Sequence, residues 1–406
     1  MTATTKYSLE GKVLKLNSAA DAAIVVEELN ALDAESLEEI IFSGNTFGVE
    51  AAKAVADALK NKSSLKIANL GDIFTGRLKD EIPLALDAFV DALVDKRQLQ
   101  VIDLCDNAFG PAGAAPIRRL FIENRSIRTL KLNNNGLGIE GGRLIATSLS
   151  DAAAANKNSD SAKTAVLPNM NTIIMGRNRL ETVAAQHLSL LAFPVLPNLK
   201  ELRMPQNGIR PEGIQVLLKA LGQSCPLIEV LDLQDNTFTK PGSLALVAAL
   251  PSWPNLTTLN IGDCLLGKAG SKAFLRAITP IAPKLESLIY TFNEMDLAGA
   301  QLIPGMLANK PQVHVLHLNG NMFDADNNVV DAIRAVLERN GHRNALDELG
   351  DMEEPDSDTE EEEEDEEGEN GGQEHEKTED DIDALANALG DGLKVTCVTG
   401  LKEKKI

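Results

Sequence analysis

One short phrase recurs ten times along this 406-residue chain, and no other feature limits its fold so tightly. The phrase is L-x-x-L-x-L-x-x-N-x-L, with other apolar residues standing in for leucine. It begins at Leu37, Leu65, Leu99, Ile127, Met170, Leu199, Ile228, Leu256, Leu285 and Val313. Subtracting successive positions gives spacings of 28, 34, 28, 43, 29, 29, 28, 29 and 28 residues. Inside the fourth phrase Leu130 and Leu132 alternate with Thr129 and Lys131, a period of two that marks a short strand. After the first phrase, Ala52, Val55, Ala56 and Leu59 follow at helical spacing behind Gly48. One such unit cannot bury its apolar face alone; stacked copies can.

This signature and spacing are those of the leucine-rich repeat. The expected fold is an α/β solenoid, a horseshoe of about 11 β-loop-α repeats with a parallel sheet on its concave face and helices on its convex face. Asn45, Asn107, Asn135, Asn178, Asn207, Asn236, Asn293 and Asn321 occupy the turn slot, where an amide can satisfy backbone groups leaving the sheet. They read as scaffold. Val13, Leu14 and Leu16 suggest a partial leading strand, and Val329, Ile333, Val336 and Leu337 a closing helix. The repeat domain is therefore set at 1–346, an acidic tail at 347–383 and a short, partly helical segment at 384–406.

The formal net charge is −21, and it is concentrated. Asp347 to Asp383 holds 22 acidic residues and one lysine, which is −21 on its own. Elsewhere 60 less 22 leaves 38 acids, and 39 less 1 leaves 38 bases. A neutral body with a polyanionic tail argues against nucleic acid and membrane phosphates as partners and favours a basic protein surface. Ser357 and Thr359, each followed by acids, are candidate sites for an acid-directed kinase. Cys105, Cys225, Cys264 and Cys397 show no paired spacing and read as reduced. Met1–Lys15 lacks a basic-then-apolar leader, and no apolar run reaches the ~18 residues of a membrane span.

The pattern breaks twice. The 34-residue period contains Gly71-Asp-Ile-Phe-Thr-Gly-Arg-Leu-Lys-Asp-Glu-Ile-Pro83, with Ile73 in the asparagine slot, Arg77 and Lys79 on the insertion, and Pro83 suited to the first turn of a helix. Extra residues in a solenoid map to loops, and loops carry function more often than cores do. The 43-residue period contains 151–168, rich in Ala, Asn, Ser and Lys, and reads as a loop without a chemical motif. The residue before each turn asparagine forms a further stripe along one rim: Gly44, Asp72, Asp106, Asn134, Arg177, Gln206, Asp235, Asp263, Phe292, Gly320. It reads equally well as a polar, solubilising rim or as a docking stripe for a mainly basic partner. No P-loop, H-E-x-x-H, zinc-spaced Cys/His set or G-x-S-x-G occurs. His314 and His317 are poor evidence for a metal site, and free-standing catalysis is not expected.

Several of these segments together resemble a known family. Ser43-Gly-Asn-Thr46, the Asp72–Pro83 loop, Asp106-Asn-Ala-Phe-Gly-Pro111, Asn134-Asn-Gly-Leu-Gly138, Gly176-Arg-Asn-Arg-Leu-Glu181 and Leu231-Asp-Leu-Gln-Asp-Asn-Thr-Phe238 are similar to those of the Ran GTPase-activating proteins, from about Tyr7 to the tail. The D-I-F-T-G-R loop is the specific part. The chain resembles the short fungal form, without the plant N-terminal targeting domain or the vertebrate SUMO-modified domain. The resemblance implies stimulation of GTP hydrolysis on Ran, in nucleocytoplasmic transport, by a regulator that is not itself an enzyme. It implies that the family braces Ran's own glutamine and switch regions instead of inserting an arginine finger, a device worth on the order of 10³–10⁵ in rate. Carried over, Arg77 matches the essential loop arginine, Asn134 the asparagine that orients Ran's glutamine, and Lys79 the neighbouring base; Asp106, Arg177, Asp235 and Asp263 are partner-binding candidates from the rim stripe. Arg77→Ala is expected to abolish most activity and leave the melt unchanged. The chain needs no cofactor of its own, since magnesium and GTP belong to Ran. The partner is Ran-GTP, with or without a Ran-binding protein, and the chain is expected to be monomeric and cytoplasmic or perinuclear. The alternative is a non-catalytic repeat scaffold or inhibitor, of the kind ribonuclease inhibitor represents.

Overall fold

A computed structural model describes residues 4–155, 167 and 169–353. Two compact units are distinguished, Met1–Thr237 and Phe238–Ile406. In the first, eight short strands pair in parallel and in chain order: Lys6–Ser8, Glu39–Ile41, Ile67–Asn69, Val101–Asp103, Thr129–Lys131, Thr172–Ile174, Glu201–Arg203 and Val230–Asp232. In the second, Thr258–Asn260, Ser287–Ile289 and Val315–His317 pair the same way. Eight and three make the eleven repeats expected, and the fold is an α/β leucine-rich-repeat solenoid.

In most strands the middle residue is buried and its two neighbours are half-exposed, as in Thr129-Leu130-Lys131, while Ile41, Asp232 and Asn260 are buried as well. The sheet therefore buries one face against helices. Helix Gly138–Ala155 buries Ile145, Ala146, Leu149, Ala152 and Ala153. It approaches helix Glu181–His187 so closely that a Cβ on Gly142 would lie 2.6 Å from Ala184 Cβ. Small residues thus set how tightly neighbouring helices stack over the sheet.

The turn asparagines form a hydrogen-bonded ladder, and all eight are buried. Asn178 Nδ2 donates to the carbonyls of Leu132 (2.8 Å), Met175 (3.1 Å) and Gly176 (3.0 Å), while its Oδ1 accepts from Asn135 N–H at 2.9 Å. Asn135 repeats the arrangement one repeat earlier, accepting from Asn107 N–H at 2.9 Å. Each amide satisfies backbone groups of two repeats, so the ladder links stacking to turn geometry.

Three expectations change. The leading strand of the sheet is Lys6–Ser8; Lys15–Leu16 pairs instead with Thr46–Phe47 in a separate two-stranded sheet. The segment expected as a loop from residue 151 stays helical to Ala155, because Ala152 and Ala153 continue the buried stripe. The body runs past residue 346: Leu346 bridges Leu316, Asp347 Oδ1 accepts from Leu318 N–H at 2.8 Å, and Glu353 N–H reaches Asn321 O at 3.0 Å. The closing helix is Asn328–Arg339, capped by Asn327. The rest of the 347–383 tail, Ser357, Thr359, the 384–406 segment and Cys397 lie outside the described residues. No helix among the described residues is long and apolar enough to cross a membrane.

Candidate functional site

The rim stripe is a single backbone feature. All ten of its residues lie in the left-handed region, with φ between 48° at Asp72 and 74° at Gly44 and Gly320. Within the first unit the stripe is laddered: Asp72 N–H donates to Cys105 O, Asp106 N–H to Asn133 O, Asn134 N–H to Gly176 O, and Arg177 N–H to Pro205 O, at 2.8 to 3.0 Å. Left-handed backbone costs most L-residues roughly 1–2 kcal/mol, least for Gly, Asn and Asp. Seven of the ten are Gly, Asn or Asp. Asp72, Asp106, Asp235 and Asp263 therefore have a conformational reason to stand there, whatever they touch. Arg177, exposed at φ 55°, does not, and neither do Gln206 and the 43% exposed Phe292.

Asn134 is exposed, and its Nδ2 donates to Asp106 Oδ1 at 2.9 Å. A carboxylate accepts only, so Asp106 fixes which end of the amide faces it. Asn134 Oδ1 is turned away and accepts no hydrogen bond among the described residues. It is an oriented acceptor on an open rim.

The insertion after strand Ile67–Asn69 is anchored by Ile73 and Phe74, both buried. Thr75 Oγ1 donates to Asp72 Oδ1 (2.5 Å), Arg77 N–H closes a turn on Phe74 O (3.0 Å), and Glu81 Oε2 accepts from Leu78 N–H (3.1 Å) as helix Glu81–Leu93 begins. Pro83 sits in the first turn of that helix. Beneath the loop, Phe42, Phe47 and Phe89 pack with centroids 5.6 to 6.0 Å apart, a cluster that holds the helix to the first repeat. Lys79 and the 70% exposed Leu78 project from the loop.

Arg77 does not hang free on this loop. Nε donates to Thr46 Oγ1 (2.8 Å), one Nη to Asn17 Oδ1 (2.7 Å), and the other to the carbonyls of Leu16 (3.0 Å) and Thr46 (2.9 Å). The half-buried guanidinium thus binds the loop to the N-terminal cap. Backbone N–H groups of Ser18 and Asn17, the Ser18 hydroxyl and the nearby Arg77 charge hold the exposed Asp21 carboxyl below the usual carboxylate range. This connection was not visible in the sequence, because Arg77 and its partners are 31 to 61 positions apart. These four hydrogen bonds argue against the expectation that removing Arg77 leaves the melt unchanged.

The Arg77 guanidinium and Asn134 share the rim at the C-terminal ends of the strands. Thr46, which Arg77 grips, follows strand Glu39–Ile41, and Asn134 follows strand Thr129–Lys131. Those two strands are three strand spacings apart in the sheet, about 15 Å. Asp106 and Arg177 flank Asn134, and Asp235 lies further along the same unit; Asp263 belongs to the second unit. Among the described residues no group of three or more His, Cys, Asp or Glu could hold a metal ion.

A family model described as Leucine Rich repeat matches residues 123–146, the stretch containing Asn134. Ran GTPase-activating protein 1 of Saccharomyces cerevisiae is 37% identical over 341 residues, covering 82% of each chain. The Xenopus laevis protein of the same name is 44% identical over 207 residues, 50% of this chain and 34% of its own. Mouse ribonuclease inhibitor is 26% identical over 283 residues, 64% of this chain and 60% of its own.

Proposed function

The chain belongs to the Ran GTPase-activating proteins, and from that premise we propose that it accelerates GTP hydrolysis on Ran by ordering Ran's own catalytic groups. Its partner is Ran-GTP. A GTPase of this kind uses a glutamine to orient the attacking water. Asn134 Oδ1 accepts from that glutamine's amide, Asp106 keeps Asn134 turned the right way, and Lys79 and Arg177 bind acidic groups of the docked GTPase. Asp235 and Asp263 contribute to the rim only secondarily. Magnesium and nucleotide are held by Ran, the regulator acts as a monomer with or without a Ran-binding protein, and it works in the cytoplasm or at the nuclear periphery.

The observation that carries this reading is the pair Asp106–Asn134, a hydrogen-bond-oriented acceptor on an exposed rim. The four hydrogen bonds of Arg77 argue in the same direction. A guanidinium with four of its five N–H donors engaged by its own chain would have to break those bonds to enter a partner's nucleotide pocket, so Arg77 orders the loop and does not act as a finger. The second reading, a repeat scaffold that only blocks a ligand, draws on the likeness to ribonuclease inhibitor. A single-turnover assay with GTP-loaded Ran separates them: acceleration at micromolar protein supports activation, and hydrolysis at Ran's intrinsic rate removes it.

A further inference from the structure

We propose that Asn17 and Thr46 are positioning residues for Ran activation: their side chains clamp the Arg77 guanidinium, so that the N-terminal cap fixes the conformation in which loop 72–79 meets the GTPase. This rests on the activator reading above and extends it to residues outside the loop and outside the rim stripe.

The clamp joins three separate pieces of chain. Asn17 follows the two-residue strand Lys15–Leu16, which pairs with Thr46–Phe47. Both pieces then turn a side-chain oxygen and a carbonyl oxygen toward one guanidinium. The Arg77 fork is planar, with donors in fixed directions, and four acceptors arranged around it define its position far better than one ion pair would. The close approach also depends on Gly48. A Cβ there would lie 2.8 Å from Asn17 O and 3.1 Å from Arg77 Nη1. Gly48 has φ −78°, which any residue adopts, so its smallness serves the clamp and not the backbone.

Without the clamp the loop between Phe74 and helix Glu81–Leu93 keeps only short-range bonds, Thr75 to Asp72, Arg77 N–H to Phe74 O and Leu78 N–H to Glu81. Thr75 to Asp80 is exposed apart from the half-buried Arg77, and Gly76 sits at φ +77° with open space around it. Among the described residues, the hydrogen bonds from this stretch into the cap are those of the guanidinium. A loop released from it still carries Lys79 and Leu78, but in many arrangements, and the cost of ordering them falls on the complex.

The test uses the full chain with Asn17→Ala and Thr46→Val, singly and combined as a double variant, plus Thr46→Ser, which keeps the hydroxyl. Single-turnover hydrolysis of Ran-bound GTP is measured across protein concentrations, and trypsin cleavage after Arg77 and Lys79 is timed without Ran. Loss of Thr46 Oγ1 together with Asn17 Oδ1 removes two of four charge-assisted bonds, so the double variant should hydrolyse roughly tenfold more slowly at a fixed sub-saturating concentration and be cut roughly tenfold faster. Thr46→Ser should stay near the wild type in both assays. Hydrolysis at the wild-type rate in the double variant overturns the proposal, as does equal loss in Thr46→Ser and Thr46→Val. Should the double variant not fold, Asn17→Ala alone, on the exposed side, decides by the same two readouts. If the wild-type chain fails to accelerate Ran, the activator reading falls, while loop cleavage still judges whether the clamp exists.

Discussion

Arg77→Ala is the perturbation for which sequence and structure expect different results. The substitution deletes four hydrogen bonds and leaves Leu16 O and Thr46 O without their charged donor. Hydrogen bonds to charged groups contribute about 1.5–3 kcal/mol each when buried, but this guanidinium is half-exposed and water replaces part of the loss. A net loss of about 2 kcal/mol for the group is the reasonable magnitude. For a body the size of the first unit that lowers Tm by about 4–8 °C. Arg77→Lys should recover only part of this, because an ammonium is a point donor and cannot reach both Thr46 oxygens and Asn17 at once. Calorimetric melts of the three proteins, run beside single-turnover hydrolysis, provide the check. The activity of Arg77→Ala should fall along with its Tm. A melt unchanged within 1–2 °C, a shift too small for ~2 kcal/mol, with activity abolished, would refute the clamp and return Arg77 to the interface.

Other expectations follow from the same geometry. Asn134→Gly keeps the left-handed backbone at no cost, whereas Asn134→Ala adds about 1 kcal/mol of strain; both should slow hydrolysis more than they weaken Ran binding, and a Gly variant with wild-type turnover would show the amide to be irrelevant. Asp106→Ala frees the Asn134 amide and should lower the rate about threefold, a small multiple of one surface hydrogen bond, with no change in single-turnover rate counting against it. Asn178→Leu leaves the buried N–H groups of Asn135 and Leu137 without their acceptor and takes one donor from each of three turn carbonyls, which keep a second, and should cost about 3 kcal/mol in urea unfolding; a loss below ~1 kcal/mol would deny the ladder its structural role. Burial pushes the Lys310 ammonium down to about 8, so the folded chain sheds that proton before the unfolded chain does. Stability from this group should therefore rise between about pH 8 and about pH 10.4. Wild type that gains nothing over Lys310→Met across that window, by urea melts, would contradict it.

Much of the fold is legible in the chain alone, and the reason is locality. A period of two inside the phrase and a period near 28 between phrases are set by strand geometry and by the length of one β-loop-α unit, so the direction and order of the ten phrase strands could be read off directly, whereas the leading strand Lys6–Ser8, which lacks the phrase, could not. The eight turn asparagines were equally readable, since one amide per turn meets a need that recurs in every repeat. The family resemblance singled out Arg77 and Asn134 for the same reason: the D-I-F-T-G-R loop is a contiguous stretch. What tertiary structure alone decided is how those residues are held. Stacking brings Arg77 to Leu16, Asn17 and Thr46 across 31 to 61 positions, pairs Lys15–Leu16 with a turn instead of the main sheet, and presses every rim residue into left-handed backbone. No pattern in one dimension encodes such contacts, because each depends on where a neighbouring repeat places its oxygens. The rim composition shows the consequence: aspartates that read as a charged docking stripe also satisfy a backbone constraint, and only the packed chain separates the two causes.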